Sequence, residues 1–80
     1  MNLFKHLRLA TINDNGKPMN IVQLSKQLGV SPACISKIER GMHIPTLEVI
    51  AAYKQYFGVS YDALFEATLH HFILFPARKQ

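Results

Sequence analysis

Apolar residues recur along this chain at the three- and four-residue spacing of helix faces, and glycine, proline and capping residues divide the pattern into five predicted helices. Leu3, Phe4, Leu7 and Ala10 form the first stripe, over about residues 3–12. The run Asn13-Asp14-Asn15-Gly16-Lys17-Pro18 ends it, because each of these residues favours turns. Three later starts share one grammar: an apolar residue, a cap with a side-chain oxygen, and an apolar residue four positions after the cap. Met19-Asn20 with Leu24, Val30-Ser31 with Ile35, and Val59-Ser60 with Leu64 all satisfy it. The cap oxygen accepts from an orphan backbone N–H, and the flanking apolar pair clamps the entry angle. Gln23, three residues after Asn20, can complete a capping box, and Pro32 follows Ser31 at the first helical position, where a missing N–H costs nothing. Pro45-Thr46 opens the fourth helix, which runs to about Phe57 before Gly58.

Gly29 stands where the second helix must stop, and a left-handed residue there turns the chain sharply into Ser31 and the third helix. Two helices at a steep angle through a glycine-containing turn define a helix-turn-helix. The fold class predicted is all-α, with residues 1–66 as one domain and residues 67–80 as an apolar extension. Leu69, Phe72, Ile73, Leu74 and Phe75 put more apolar surface there than a small globule needs for its own core. Either residues 62–75 make one longer helix docking back, or the segment pairs with a second subunit as helix or strand. Pairing is the favoured reading, with Leu69, Phe72, Ile73 and Phe75 at the dimer interface and Pro76 ending ordered structure.

Composition narrows the function. Eighty residues bury too little surface to support a stable core and a deep catalytic cleft together. No nucleophile–base pair, paired carboxylates or phosphate-cradling loop stands in the sequence, so a binding module is expected and not an enzyme. Residues 1–43 hold Lys5, Arg8, Lys17, Lys26, Lys37 and Arg40 against Asp14 and Glu39, whereas the remainder is balanced. A basic half suggests a polyanionic partner. The single cysteine, Cys34, excludes an internal disulfide, reads as a small packed residue, and fits a reducing cytoplasm. The four histidines have no zinc spacing, and His70 and His71, adjacent on a helix, cannot share a metal, so neither metal nor cofactor is expected. The longest apolar run, 72–75, is far short of the ~20 residues of a spanning helix, and no membrane association is expected.

Taken in order, Leu24, Leu28-Gly29-Val30-Ser31, Ile35-Ser36-Lys37-Ile38-Glu39-Arg40-Gly41, Pro45-Thr46-Leu47 and Phe57-Gly58-Val59-Ser60 with Leu64 resemble the phage repressor and Cro-type helix-turn-helix proteins, the XRE family. The resemblance covers residues 19–65 and is specific, because the elements recur at the family's spacing. It implies a compact five-helix lambda-repressor-like domain with the helix-turn-helix at helices two and three. Three departures stand out: the first link is about six residues longer, Tyr53-Lys54 replaces a small residue of helix four, and Pro32 and Ala33 stand where relatives often carry polar base-reading side chains.

The resemblance implies that the third helix enters the major groove of double-stranded DNA while the second bridges the backbone. With Ile35 and Ile38 turned to the core, Ala33, Ser36, Lys37 and Arg40 share the outer face. Lys37 is the favoured base reader, because its ammonium can donate to guanine O6 or N7; Ala33 offers a methyl contact to thymine, and Ser36 reads a base or a phosphate. Backbone contacts are expected from Asn20, Gln23, Arg40, Lys17, and the Gly41-Met42-His43 stretch through its N–H groups. Arg8 and Glu39 match a structural ion pair of the family. The implied function is a sequence-specific transcriptional regulator, a repressor acting as a homodimer on a palindromic operator. Two other readings stand beside it: an antitoxin holding a toxin through its C-terminal part, and an interaction module that has lost DNA binding.

Overall fold

The computed structural model describes residues 2–70. It contains α1 (Leu3–Leu9), α2 (Ile21–Leu28), α3 (Pro32–Glu39), α4 (Leu47–Phe57) and α5 (Tyr61–Thr68), and no strand among the described residues. Each helix opens on a polar cap whose side-chain oxygen accepts a backbone N–H three residues on. Asn2, Asn20, Ser31, Thr46 and Ser60 fill that role. At α2 the box is complete, since Gln23 Oε1 accepts from the Asn20 N–H at 2.9 Å while Asn20 Oδ1 accepts from the Gln23 N–H at 2.8 Å. Such caps each stabilise a helix start by about 1 kcal/mol, which matters for helices too short to persist alone.

The core gathers Phe4, Met19, Leu24, Ile35, Ile38, Val49, Ile50, Tyr53 and Leu64, at least one residue from every helix. The apolar residues flanking the caps, Met19 with Leu24, Val30 with Ile35 and Val59 with Leu64, lie in or against it. Tyr53 sits at its centre, fully buried, with its ring edge-on to Phe4 (5.1 Å between centroids) and stacked on Phe57 (5.7 Å). A ring thus fills the middle of α4 where the resemblance leads one to expect a small residue. Its Oη is buried without a hydrogen-bond partner among the described residues, and burial pushes the phenol well above its ordinary value.

The first helix is shorter than its apolar pattern predicts, ending at Leu9 and not near residue 12. Ile12 instead pairs with Pro18 across an antiparallel bridge, and the intervening loop is organised by Asn13. The Asn13 N–H donates to the Lys17 carbonyl, its Oδ1 accepts from the N–H groups of Asn15 and Lys17, and its Nδ2 reaches Gln23 Oε1 at 3.4 Å. These bonds outbid continuation of the helix. At the other end, α5 runs past residue 66, with Ala67 packed against the core and Thr68 buried. Phe72, Ile73, Leu74 and Phe75, on which the pairing expectation falls, lie outside the described residues. No helix among those described is long and apolar enough to cross a membrane.

Candidate nucleic-acid interface

The corner between α2 and α3 is made by Gly29, which takes φ +70° and ψ 28°, a left-handed conformation that only glycine adopts without strain. Val30 turns in against the core, Ser31 caps α3, and Pro32 opens it. Ile35, Ile38 and Glu39 are buried and Cys34 is half-buried, so this side of α3 is committed to packing. The opposite side carries Ala33, Lys37 and Arg40, all exposed and separated by four and three residues, with Ser36 half-buried beside them. Ala33, Ser36, Lys37 and Arg40 are therefore brought together on one face of one helix.

The rim of this face has two backbone features. The α2 capping box uses the N–H groups of Asn20 and Gln23, and the first turn leaves those of Ile21 and Val22 without an intrahelical acceptor. Orphan donors at the positive end of a helix dipole favour an anion. At the end of α3, Gly41 (φ +76°) lets its own N–H bond to the Ile38 carbonyl at 3.1 Å and the Met42 N–H bond to the Lys37 carbonyl at 2.8 Å. This corrects the means by which Gly41-Met42-His43 was expected to hold phosphate: the first two N–H groups are already donated inside the cap. The Met42 and His43 side chains are exposed there instead. Arg40 lies back along its helix, with Nε donating to the Ser36 carbonyl at 3.4 Å, and Lys17 is exposed on the loop that Asn13 orders.

Beneath α3, a polar junction fixes its position. Arg8 grips Glu39 with two parallel bonds, Nε to Oε2 and Nη2 to Oε1, each 2.8 Å, and its Nη1 donates to the Met19 carbonyl at 2.9 Å. The hydrogen bond to Glu39 raises the Arg8 pKa, with desolvation opposing it. One side chain thereby joins α1, the entry to α2 and the end of α3. Asn2 adds a second tie that its sequence position does not signal. While its Oδ1 caps α1, its Nδ2 donates to the carbonyls of Ile38 (3.0 Å) and Glu39 (3.3 Å). Those partners lie more than thirty residues away. Neither this cap nor its long-range grip is signalled by the apolar pattern that marks α1.

Charge is distributed to match. With Arg8 and Glu39 neutralising each other below the surface, the exposed ionic groups on and around α2 and α3 are Lys17, Lys26, Lys37 and Arg40, with Asp14 the one acid on the neighbouring loop. Among the described residues, no group of three or more His, Cys, Asp or Glu is placed to hold a metal ion. What the arrangement can do chemically is present cations, a hydroxyl and a methyl on a helix whose other side is immobilised.

A family model described as helix-turn-helix matches residues 19–64, more than half of the chain and the span from the α2 entry to the middle of α5. No curated protein and no solved structure matches.

Proposed function

Since the chain belongs to the helix-turn-helix family of Cro/C1 type, and is therefore a DNA-binding transcriptional regulator, we propose that it acts as a repressor, binding as a homodimer to a palindromic operator. The observation that carries this reading is the outer face of α3, where Ala33, Ser36 and Lys37 stand exposed or half-exposed on a helix clamped from beneath. In this reading Lys37 donates to a guanine edge, Ala33 meets a thymine methyl, and Ser36 contacts a base or a phosphate. Asn20, Gln23, Arg40, His43 and Lys17 hold the phosphates, setting register without reading sequence, whereas Met42, its N–H spent in the cap, offers only a thioether to the same rim. Arg8 and Glu39 serve architecture only. With Pro32 and Ala33 offering no side-chain donor, few direct base bonds remain, so DNA shape supplies much of the discrimination, and affinity falls steeply with salt.

A two-fold dimer, paired through residues 67–80, sets two copies of α3 about one DNA turn (~34 Å) apart. Selection of bound sequences from random duplexes tests this reading. A palindromic consensus with half-sites one turn apart is expected, and recovery of no consensus at low salt overturns it in favour of a module without DNA recognition. The exposed Tyr61, Phe65 and Leu69 favour a second reading, an antitoxin that covers them with a toxin. Co-expression with the product of a neighbouring reading frame separates the two: a stable heteromer supports the antitoxin, and a homodimer alone supports the repressor.

A further inference from the structure

The first turns of α4 and the first half of α5 form an apolar groove lined by Leu47, Ile50, Ala51, Tyr61 and Phe65, with Glu48 at its edge. Its walls are large side chains left in water: Leu47 is 72% exposed, Phe65 44% and Tyr61 43%. Tyr61 and Phe65 stack at 6.3 Å, Lys54 Nζ lies 5.2 Å from the Tyr61 ring centre, and Leu69, 43% exposed, continues the same four-residue stripe along α5. A contiguous apolar surface of this kind on a chain of 80 residues calls for a cover. Three of the chain's five acidic residues, Glu48, Asp62 and Glu66, are exposed on these same stretches of α4 and α5.

We propose that this groove is the seat for the segment Phe72-Ile73-Leu74-Phe75-Pro76-Ala77-Arg78-Lys79 of a second copy of the chain, exchanged reciprocally. Chemistry matches on both counts, since four consecutive apolar residues and the two cations Arg78 and Lys79 after them meet an apolar trough with Glu48 at its edge and Asp62 and Glu66 exposed on the α5 helix that forms one wall. The chain's own segment is poorly placed for that seat. Leu69 keeps helical backbone (φ −60°, ψ −49°), so up to that residue the chain has not turned back toward Tyr61 and Phe65. Returning demands an immediate reversal, and residues 69–75, Leu-His-His-Phe-Ile-Leu-Phe, contain no Gly, Pro, Asn, Asp or Ser to make one. A segment supplied by a second copy is not bound by that short tether, and a reciprocal exchange closes as a two-fold dimer. The inference rests on the homodimer reading above and names the surface that makes it.

Sedimentation equilibrium of the full chain tests it with two variants and their mixture. Phe65→Glu places a charge in the groove at an exposed position, and Ile73→Glu places one in the segment. Each is expected to weaken self-association about tenfold or more, as loss of an interface anchor does. Mixed in equal amounts, they regenerate one intact groove–segment contact, so a heterodimer tighter than either variant with itself is expected. Two undiminished variants, or a mixture no tighter than its components, overturn the exchange. If Ile73→Glu alone is monomeric while Phe65→Glu pairs normally, the groove assignment fails and the dimer reading stands; a monomeric wild-type chain fells both. Reversal of the charge at the groove edge, Glu48→Lys, lies on an exposed position and spares the core. It should weaken pairing and be rescued by Arg78→Glu with Lys79→Glu, and absence of rescue counts against the charge match.

Discussion

On the α1–α3 side, position is set by hydrogen bonds. Arg8 and Asn2 hold α3 from beneath, the Asn20–Gln23 box fixes the start of α2, and what α3 itself leaves exposed at Ala33, Lys37 and Arg40 is cationic or small. On the α4–α5 side there is no comparable polar junction among the described residues, and the exposed groups include Leu47, Tyr61, Phe65 and Leu69, with Lys54 and three carboxylates on the same helices. The difference teaches how a small chain divides its labour. Directional bonds immobilise a surface whose partner is polar and must be met at defined points. Non-directional apolar contact suffices where the task is to be covered.

Breaking the polar junction is the severest test of that division. Arg8→Ala leaves the Glu39 carboxylate, whose side chain is only 4% exposed, without its partner, and should lower unfolding free energy by about 3–5 kcal/mol in a denaturant titration. Base preference among the molecules that stay folded should be unchanged, and a normal melting temperature would show the pair to be dispensable. Next in size, Lys37→Ala touches only the exposed face and should cost about 1–3 kcal/mol of specific DNA binding while relaxing one operator position. An unaltered preference in competition gel shifts would remove Lys37 from the reading role. Gly29→Ala sharpens the role of the corner. A Cβ there meets nothing within 4 Å, so only the left-handed backbone is penalised, and a loss of about 1 kcal/mol in stability is expected.

The smallest expected effect lies where the two sides meet. Tyr53→Phe removes a buried hydroxyl that has no partner, and stability should stay within about 1 kcal/mol of wild type, on the stabilising side. Its pH dependence has a definite sign. The folded phenol titrates above the unfolded value of 10.0, so Tyr53 leaves stability independent of pH below that value and lowers it as pH rises beyond, when the unfolded chain releases the proton. The Phe variant should therefore show a flatter decline in alkaline denaturation, and parallel curves would refute the assignment.

Much of this was legible in the chain because it is written locally. Caps at Asn20, Ser31 and Ser60, each with its apolar pair, and glycines at 29, 41 and 58 announce helices two to five within a few residues of where they stand. The end of α1 was not, because Asn13 competes for Ile12 through bonds to Asn15, Lys17 and Gln23 that apolar spacing does not record. The α3 face was legible from helical periodicity once Ile35 and Ile38 were assigned inward. Its foundations were only partly so. The Arg8–Glu39 pair was suggested by resemblance, whereas the Asn2 grip on Ile38 and Glu39, and the trough between Leu47 and Phe65, arise from approaches between segments distant in sequence.

The two sides of α3 carry separate duties, one buried and fastened through Ile35, Ile38 and Glu39, the other free of structural obligation at Ala33 and Lys37. Under the proposed reading of α3, target preference can accordingly drift by substitution at outward positions without passing through unfolded intermediates. The domain is thus an evolvable chassis, and new specificities are reachable from it by single steps that leave its foundations untouched.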